Sequence, residues 1–480
     1  MALGLRSRIF RSRLYDLSLG ARRTPLQFQP PALSQIAAPD PAEVAAWLTA
    51  YPRWHAEAWR NDRIGQRLNL WLTHHQQAAA SSEEASRLLH SLHRQVSHVY
   101  RNRHQRPEAA GCPLEIYRGL IAAALAFANH RKKLPYLLHE IEGHIAENIL
   151  PDGGHRDRNP ERHLLALRTL IHIRQILLAA RLELPQALQP AIDRMAPRLA
   201  ALTLGDGGLT QFNGGHALHA DQVSATMNLS ESRAQPASSA PHTGLHRLAA
   251  QRTRLVIDAG VPQPGPATAG TPPPHAGSLA LEMSVGKHRL IVNCGAVAQE
   301  QGNSAELADA LRATAAHSTL TFANTNSSDL VAHGLGARRV RQVETRRREQ
   351  DRNLLLESSH DGYAEPFGVK IYRSLYLAQD GLDLRGEDVV AAETSSGRPF
   401  HIRFHLHPDI QASVAEGGKK ALIRLPTGRG WTLSISDGEL SLEESIYSPN
   451  GKPQRTTQLV ISARHARRTE TVKWRLSRAG

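Results

Sequence analysis

Three groups of residues in this 480-residue chain have the types and spacing to do chemistry. The first is the run Pro151-Asp152-Gly153-Gly154-His155-Arg156-Asp157-Arg158-Asn159-Pro160-Glu161-Arg162-His163. Asp-Gly-Gly reads as a tight turn closing one helix. Asn159-Pro160 opens the next, with Asn at the N-cap and Pro at the first helical position. The turn then carries His155, Arg156 and Arg158 at one rim, setting imidazoles that titrate near neutral pH beside guanidinium forks that grip carboxylates. A well-capped helix start with solvated basic side chains accounts for the same pattern. The second group is His275, Asn293 and His317, which sit at the ends of short apolar β-like runs. They can converge while the runs pack a core, either as a site or as hydrogen-bonded side chains clamping strand ends. The third is His401-Ile402-Arg403-Phe404-His405-Leu406-His407. Period-two alternation puts His401, Arg403, His405 and His407 on one face, suited to carboxylate or sulfate, or to a polar face meeting solvent. The turn-rich Asn213-Gly214-Gly215-His216 and Pro241-His242-Thr243-Gly244 could line a cleft between domains.

Taken together, these residues resemble the heparinase II/III family of polysaccharide lyases, from about Trp54 to the C-terminus and most closely over Leu150–Leu320. In that family Asp-Gly-Gly is followed by an acidic residue, a Ser-Pro or Asn-Pro helix start, and a Tyr-His pair. Asp157, Asn159-Pro160 and His163 take those places, and Arg162 stands where the proton-transferring tyrosine is expected. The resemblance implies β-elimination on a uronic-acid-containing polysaccharide of the heparin, heparan or bacterial acidic type. Such a reaction needs the uronate carboxylate neutralised, a base for the adjacent proton and an acid for the leaving oxygen. Arg158 and Arg162 would supply the first, and His155 or His163 the base and acid. Asn159, Asn213, His242, Arg403 and His405 would contact substrate. His275, Asn293 and His317 fall where two histidines and an aspartate would hold a divalent metal, zinc or calcium. Asn293 removes a formal negative charge there, and Pro273 replaces a further histidine. With Arg162, these departures motivate an alternative: a protein of the same fold that binds an acidic glycan without cleaving it.

The elements that must position these groups are legible from periodicity. Leu, Ile and Ala recur at helical spacing from Pro41 to Leu204, as in Leu114–Phe127 and Leu164–Leu182. Asn228 to Pro241 turns to Ser, Ala and Pro and reads as a linker. After it the period is two, with strands expected at Leu255–Asp258, Ser278–Val285, His288–Asn293, Ser318–Phe322, Phe400–His407, Ala421–Leu425, Trp431–Ile435 and Thr457–Ile461. The expected class is α+β and multidomain: a basic extension (1–40), an incomplete α/α toroid (41–227), a linker (228–243) and an antiparallel β-sandwich (244–480). A net charge of +14 favours an anionic partner by long-range steering. That partner is expected to be a polysaccharide rather than nucleic acid, because the Arg-rich stretch Ala337–Arg352 lacks interleaved aromatics and reads as a solvated strand or loop face. No P-loop, dinucleotide fingerprint or Gly-x-Ser-x-Gly elbow is present. Cys112 and Cys294 are too few for a disulfide framework. No run suits a bilayer, and the basic start, Met1 to Arg23, lacks the apolar stretch of a secretory signal, so the sequence places the chain in the cytoplasm. The resemblance instead implies the cell envelope or periplasm.

Overall fold

The computed structural model describes residues 10–479 apart from 12, 20–25, 32–36, 103–112, 218–219, 266–271, 298–304 and 333. Much of the expected basic extension, Cys112 and part of the loop Val261–Pro274 therefore lie outside the described residues. The chain divides into two units. One takes the residues up to Asn148 and Leu165–Asp193; the other takes Ile149–Leu164, Arg194–Ala267 and Pro272 onward. The division departs from the expected boundary at residue 228, because the turn regions after Asn148 and Arg194 pack with the strands of the second unit.

The first unit is helical. Pro41–Ala50 starts on Asp40, whose carboxylate accepts the Ala42 N–H at 2.9 Å, with Pro41 in the first position. Ser82–Asn102 buries Leu88, Leu92, Val96 and Val99 along one stripe. Asn61–Thr73 and Pro113–Ala126 approach closely enough that a methyl group on Gly65 would stand 3.0 Å from Ile116 Cα. Glu115 ties three helices together: its carboxylate accepts from Thr169 Oγ1 (2.7 Å), Arg118 (2.8 Å) and Asn69 (3.4 Å). Among the described residues no helix is long and apolar enough to cross a membrane.

The second unit holds two eight-stranded antiparallel sheets. In the first, Leu245–Ala250, Thr253–Asp258, Leu281–Val285, His288–Val292, Pro399–Leu406, Gln454–Arg464 and Glu439–Tyr447 lie side by side, and Leu320–Phe322 also pairs with Pro399–Leu406. The second runs Gln411–Val414, Lys420–Arg424, Gly430–Ile435, Thr469–Arg478, Asp383–Ala391, Val369–Leu377, Asn353–Tyr363, Val343–Gln350. Leu255, Met283, Phe400 and Phe404 of one sheet share a core with Leu356, Leu375, Trp431 and Trp474 of the other, which makes the unit a β-sandwich. Inside it lies a buried ion pair. Arg373 binds both oxygens of Asp388 (2.7 and 3.1 Å), Trp474 Nε1 donates to the same carboxylate (2.8 Å), and Arg373 Nη1 reaches across to Leu279 O (2.9 Å) and Ser318 O (3.0 Å). The second sheet thus pins the loops that carry His275 and His317. All eight expected strands exist, with ends shifted by a few residues.

Candidate functional site

The Asp152-Gly153-Gly154 turn is closed by local hydrogen bonds. Leu150 N–H donates to Gly154 O (2.9 Å), Gly153 N–H to Leu150 O (2.8 Å) and Gly154 N–H to the Asp152 carboxylate (3.1 Å). Asp152 Oδ2 then accepts the N–H groups of His242 and Thr243 and the Thr243 hydroxyl, at 3.0, 2.8 and 2.7 Å. Burial pushes the Asp152 pKa up, but these donors and the Arg198 charge outweigh it and hold the carboxyl below its ordinary value. The chain uses the device twice. In Asp206-Gly207-Gly208 the same three bonds recur at 3.0, 3.1 and 3.0 Å, and the carboxylate is gripped by Arg289 at 2.7 and 3.3 Å.

Beyond the first turn the chain folds back on itself. Arg158 adopts a left-handed conformation (φ 55°), which swings its side chain inward. Its Nε donates to Thr243 O at 2.7 Å, and its guanidinium is ion-paired to Asp258. Gly260 leaves the space: a methyl group there would stand 2.7 Å from Arg158 Nη2. Asn213 Nδ2 donates to Arg158 O (3.0 Å) and Asp258 (3.3 Å), and Asn159 Nδ2 donates to Asn213 O (2.9 Å). Asn159 Oδ1 caps the next helix, Pro160–Ala179, through the Arg162 N–H at 3.0 Å, as its sequence position predicts. His163 donates Nε2–H to Met195 O (3.0 Å), and burial, first among several causes, drives its pKa down to about 3. His155 is also buried, with Nδ1 accepting the Asp157 N–H at 3.2 Å. The rim expected to carry His155 and Arg158 therefore presents neither: both are buried, along with His163, Arg158 on Asp258 and Thr243 O, His163 on Met195 O, and His155 beside Asp157. Arg156, Arg162 and His242 keep solvent exposure.

Two members of the second group meet, and the third, Asn293, bonds the backbone next to His317. His275 Nδ1 lies 3.1 Å from His317 Nε2, and His317 Nδ1 is 2.8 Å from Ala313 O. Asn293 donates Nδ2–H to Glu282 (3.2 Å) and accepts the Ser318 N–H on Oδ1 (2.9 Å). Both imidazoles are held neutral: burial first, then the neighbouring His317 imidazole and Arg312, pushes His275 well below its ordinary value, and burial takes His317 to about 4. Glu282 was not foreseen. It is fully buried, its Oε1 also accepts Gln211 N–H at 3.2 Å, and burial raises its pKa to about 7. The available signal is a lone acid inside the apolar run Leu281-Glu282-Met283. As a metal site the donor set is poor. Zinc sites use three or four His, Cys, Asp or Glu side chains, and among the described residues no three of these gather. The third donor here is a neutral amide already engaged at both ends. The donors present do not fit a resident divalent ion.

Of the third group, His401, Arg403 and His405 alternate along the strand Pro399–Leu406 while His407 lies just past its end, and the members are engaged with neighbours. His405 is buried, Nε2–H donating to Ala315 O (3.0 Å) and Nδ1 meeting Ser445 Oγ (2.7 Å). Arg403 donates to Thr321 Oγ1, and His401 Nδ1 meets Ser462 Oγ at 2.9 Å.

Residues 232–475 match the family described as heparinase II/III-like, C-terminal. The chain belongs to the heparinase II/III-like family. Among solved structures, it superposes on heparinase III with a TM-score of 0.71 at 11% identity, covering 92% of this chain and 73% of that one. Heparan sulfate lyase HepC from Pedobacter heparinus gives 0.66 at 14%, over 91% and 72%. What these share with the chain is the fold, a helical toroid followed by a β-sandwich. FtsZ-localized protein C of Caulobacter vibrioides (strain NA1000 / CB15N) is 28% identical over 459 residues, 90% of this chain and 77% of the relative. For a heparinase II/III-family member, the notable feature is how many side chains at the expected reactive places are bound up in holding the fold.

Proposed function

We propose that this chain is a lyase-fold protein that binds an acidic, uronate-bearing glycan and has given up the proton transfers of β-elimination. The observation that carries this reading is the burial of Arg158 and His163. One is spent on Asp258 and the other on Met195 O, with the imidazole kept neutral down to about pH 3. An acid/base pair needs access to the substrate and a pKa near the working pH. Arg162 at the expected tyrosine place points the same way. An acidic glycan is supported by the family's fold, the net charge of +14, and the exposure kept by Arg156, Arg162 and His242. The test is a panel of heparin, heparan sulfate, hyaluronan, alginate and bacterial uronate polymers, read both by ultraviolet absorbance of an unsaturated uronate product and by equilibrium binding. We expect no product and salt-sensitive binding, weakened by Arg156→Glu with Arg162→Glu. Product from any polymer would restore the lyase reading, and absence of binding to all of them would remove the glycan one.

A second reading rests on the 28% identity across 90% of the chain. The relative's name says that it localises with FtsZ, and the chain is proposed to act at the same place. Co-sedimentation with FtsZ polymers tests this; a chain that stays in the supernatant rules out direct association.

A further inference from the structure

We infer that His275, Asn293 and His317 form a metal-free clamp in which a direct imidazole–imidazole hydrogen bond stands where a divalent ion would, and that one carboxylate at position 293 suffices to turn it into a zinc site. The proton count supports the first part. Ala313 O can only accept, so the 2.8 Å contact fixes the proton of His317 on Nδ1 and leaves Nε2 bare. His275 Nδ1, 3.1 Å from that lone pair, must then carry its own proton and donate it. The rings meet at 81°, an edge-on approach. Two neutral rings thus close the chain His275 to His317 to Ala313 O with every proton placed.

Asn293 is oriented at both ends. Rotating its amide would set N–H against Ser318 N–H and oxygen against Glu282, so the observed orientation is the one that satisfies both neighbours. Electrostatics also disfavour an ion. Arg312, itself buried, lies close enough to His275 to act on its charge, and donates Nε–H to Pro274 O at 3.3 Å. Two carboxylates near the group are already engaged: Glu282 accepts from the Asn293 amide at 3.2 Å and Asp309 from Arg312 at 2.8 Å. A divalent cation here would be desolvated beside a guanidinium with no anionic donor of its own. The imidazole geometry is nevertheless ready: nitrogens 3.1 Å apart, one ring fixed through its far nitrogen by a backbone carbonyl, as in second-shell support of a metal ligand. The deficit is the acid.

The inference is independent of the glycan reading and is tested on the intact chain without any substrate. The informative variant exchanges acid and amide, Asn293→Asp with Glu282→Gln, keeping the buried charge count and a hydrogen bond between the two positions. Metal content after dialysis and thermal unfolding with and without zinc are measured on wild type, the exchange variant, and the exchange variant carrying His317→Gln. Wild type should hold well under one zinc per chain and show no zinc-dependent change in Tm. The exchange variant should hold about one, with Tm raised by several degrees at about a hundredfold excess of zinc over Kd; His317→Gln should abolish both. Nitrogen NMR of wild-type imidazoles should show Nδ1-protonated tautomers for both histidines. A wild type that keeps one equivalent of zinc, lost on chelation or in His317→Gln, would overturn the clamp. A folded exchange variant that binds none would overturn the latent site. Should the exchange variant fail to fold, the tautomers decide: His275 lacking an Nδ1 proton sinks the inference.

Discussion

Arg158 decides how the loop after Gly154 is understood, because two roles for it predict opposite costs of removing its partner. A guanidinium held ready for a substrate carboxylate would contribute little to folding. The one observed is buried, left-handed at φ 55°, and satisfied by Asp258 and Thr243 O. Removing Asp258 would strand a buried cation and release Asn213 Nδ2, which also donates to that carboxylate. Asp258→Asn is therefore expected to cost about 3–5 kcal/mol in urea unfolding, the range for breaking a buried pair from one side. Arg158→Met with Asp258→Leu should cost less than Asp258→Asn alone, since no uncompensated charge remains. If Asp258→Asn unfolds at the wild-type urea midpoint, Arg158 is not structural and returns as a candidate for the substrate. None of this could be read from the run His155–His163. Whether Arg158 faces out or in depends on Asp258 and Gly260, about a hundred positions away, and on a left-handed backbone that local sequence does not dictate.

At the scale of elements, the Asp-Gly-Gly turn is the part most fully written in the sequence: its position, the cap at Asn159 and the helix after Pro160 all follow from residue type. Its glycines serve contacts that the sequence does not reveal. Gly153 has φ 81°, and a methyl group there would meet Arg194 O at 2.1 Å. Gly143, exposed within the helix Leu134–Asn148, has nothing within 4 Å of the same position. Gly153→Ala should therefore destabilise by more than about 1 kcal/mol, while Gly143→Ala should stabilise by about 0.5–1 kcal/mol. Thermal unfolding of the two single variants checks both signs; equal effects would mean that the turn tolerates a side chain. Strands were legible where apolar residues alternate, as at Phe400–Leu406. They were missed where inward positions are polar or bare: Asn353–Tyr363 buries Ser358 and His360, and Asp383–Ala391 buries Gly386 under Trp474 and Asp388 against Arg373. Ser358 and Asp388 find their partners on neighbouring strands, in Thr345 and in Arg373 with Trp474, so no local window reports them.

Over the whole molecule, a subset of the 26 histidines is buried and ties stability to pH. His98 and His130 in the helical unit, and His246 and His360 in the sandwich unit, are driven to about 4, and His172 and His163 to about 3, in each case chiefly by burial. Their ordinary value is 6.5, so between that pH and about 4 the unfolded chain binds protons that the folded chain refuses. The sign follows: with more protons bound in the unfolded state, stability rises with pH, and acidification from neutrality removes it progressively across this window. The urea midpoint should therefore be lower at about pH 5 than at about pH 7.5. Self-repulsion of a basic chain would act in the same direction, but it is screened by salt, whereas desolvation of buried imidazoles is not. A midpoint that still falls in about 0.5 M salt identifies the histidines as the cause, and one that becomes flat there assigns the effect to surface charge. The same argument bears on function at the positions expected to be reactive: His163, His275, His317 and His405 are held neutral inside the fold by burial and are poor partners for exchanging protons with a substrate at neutral pH.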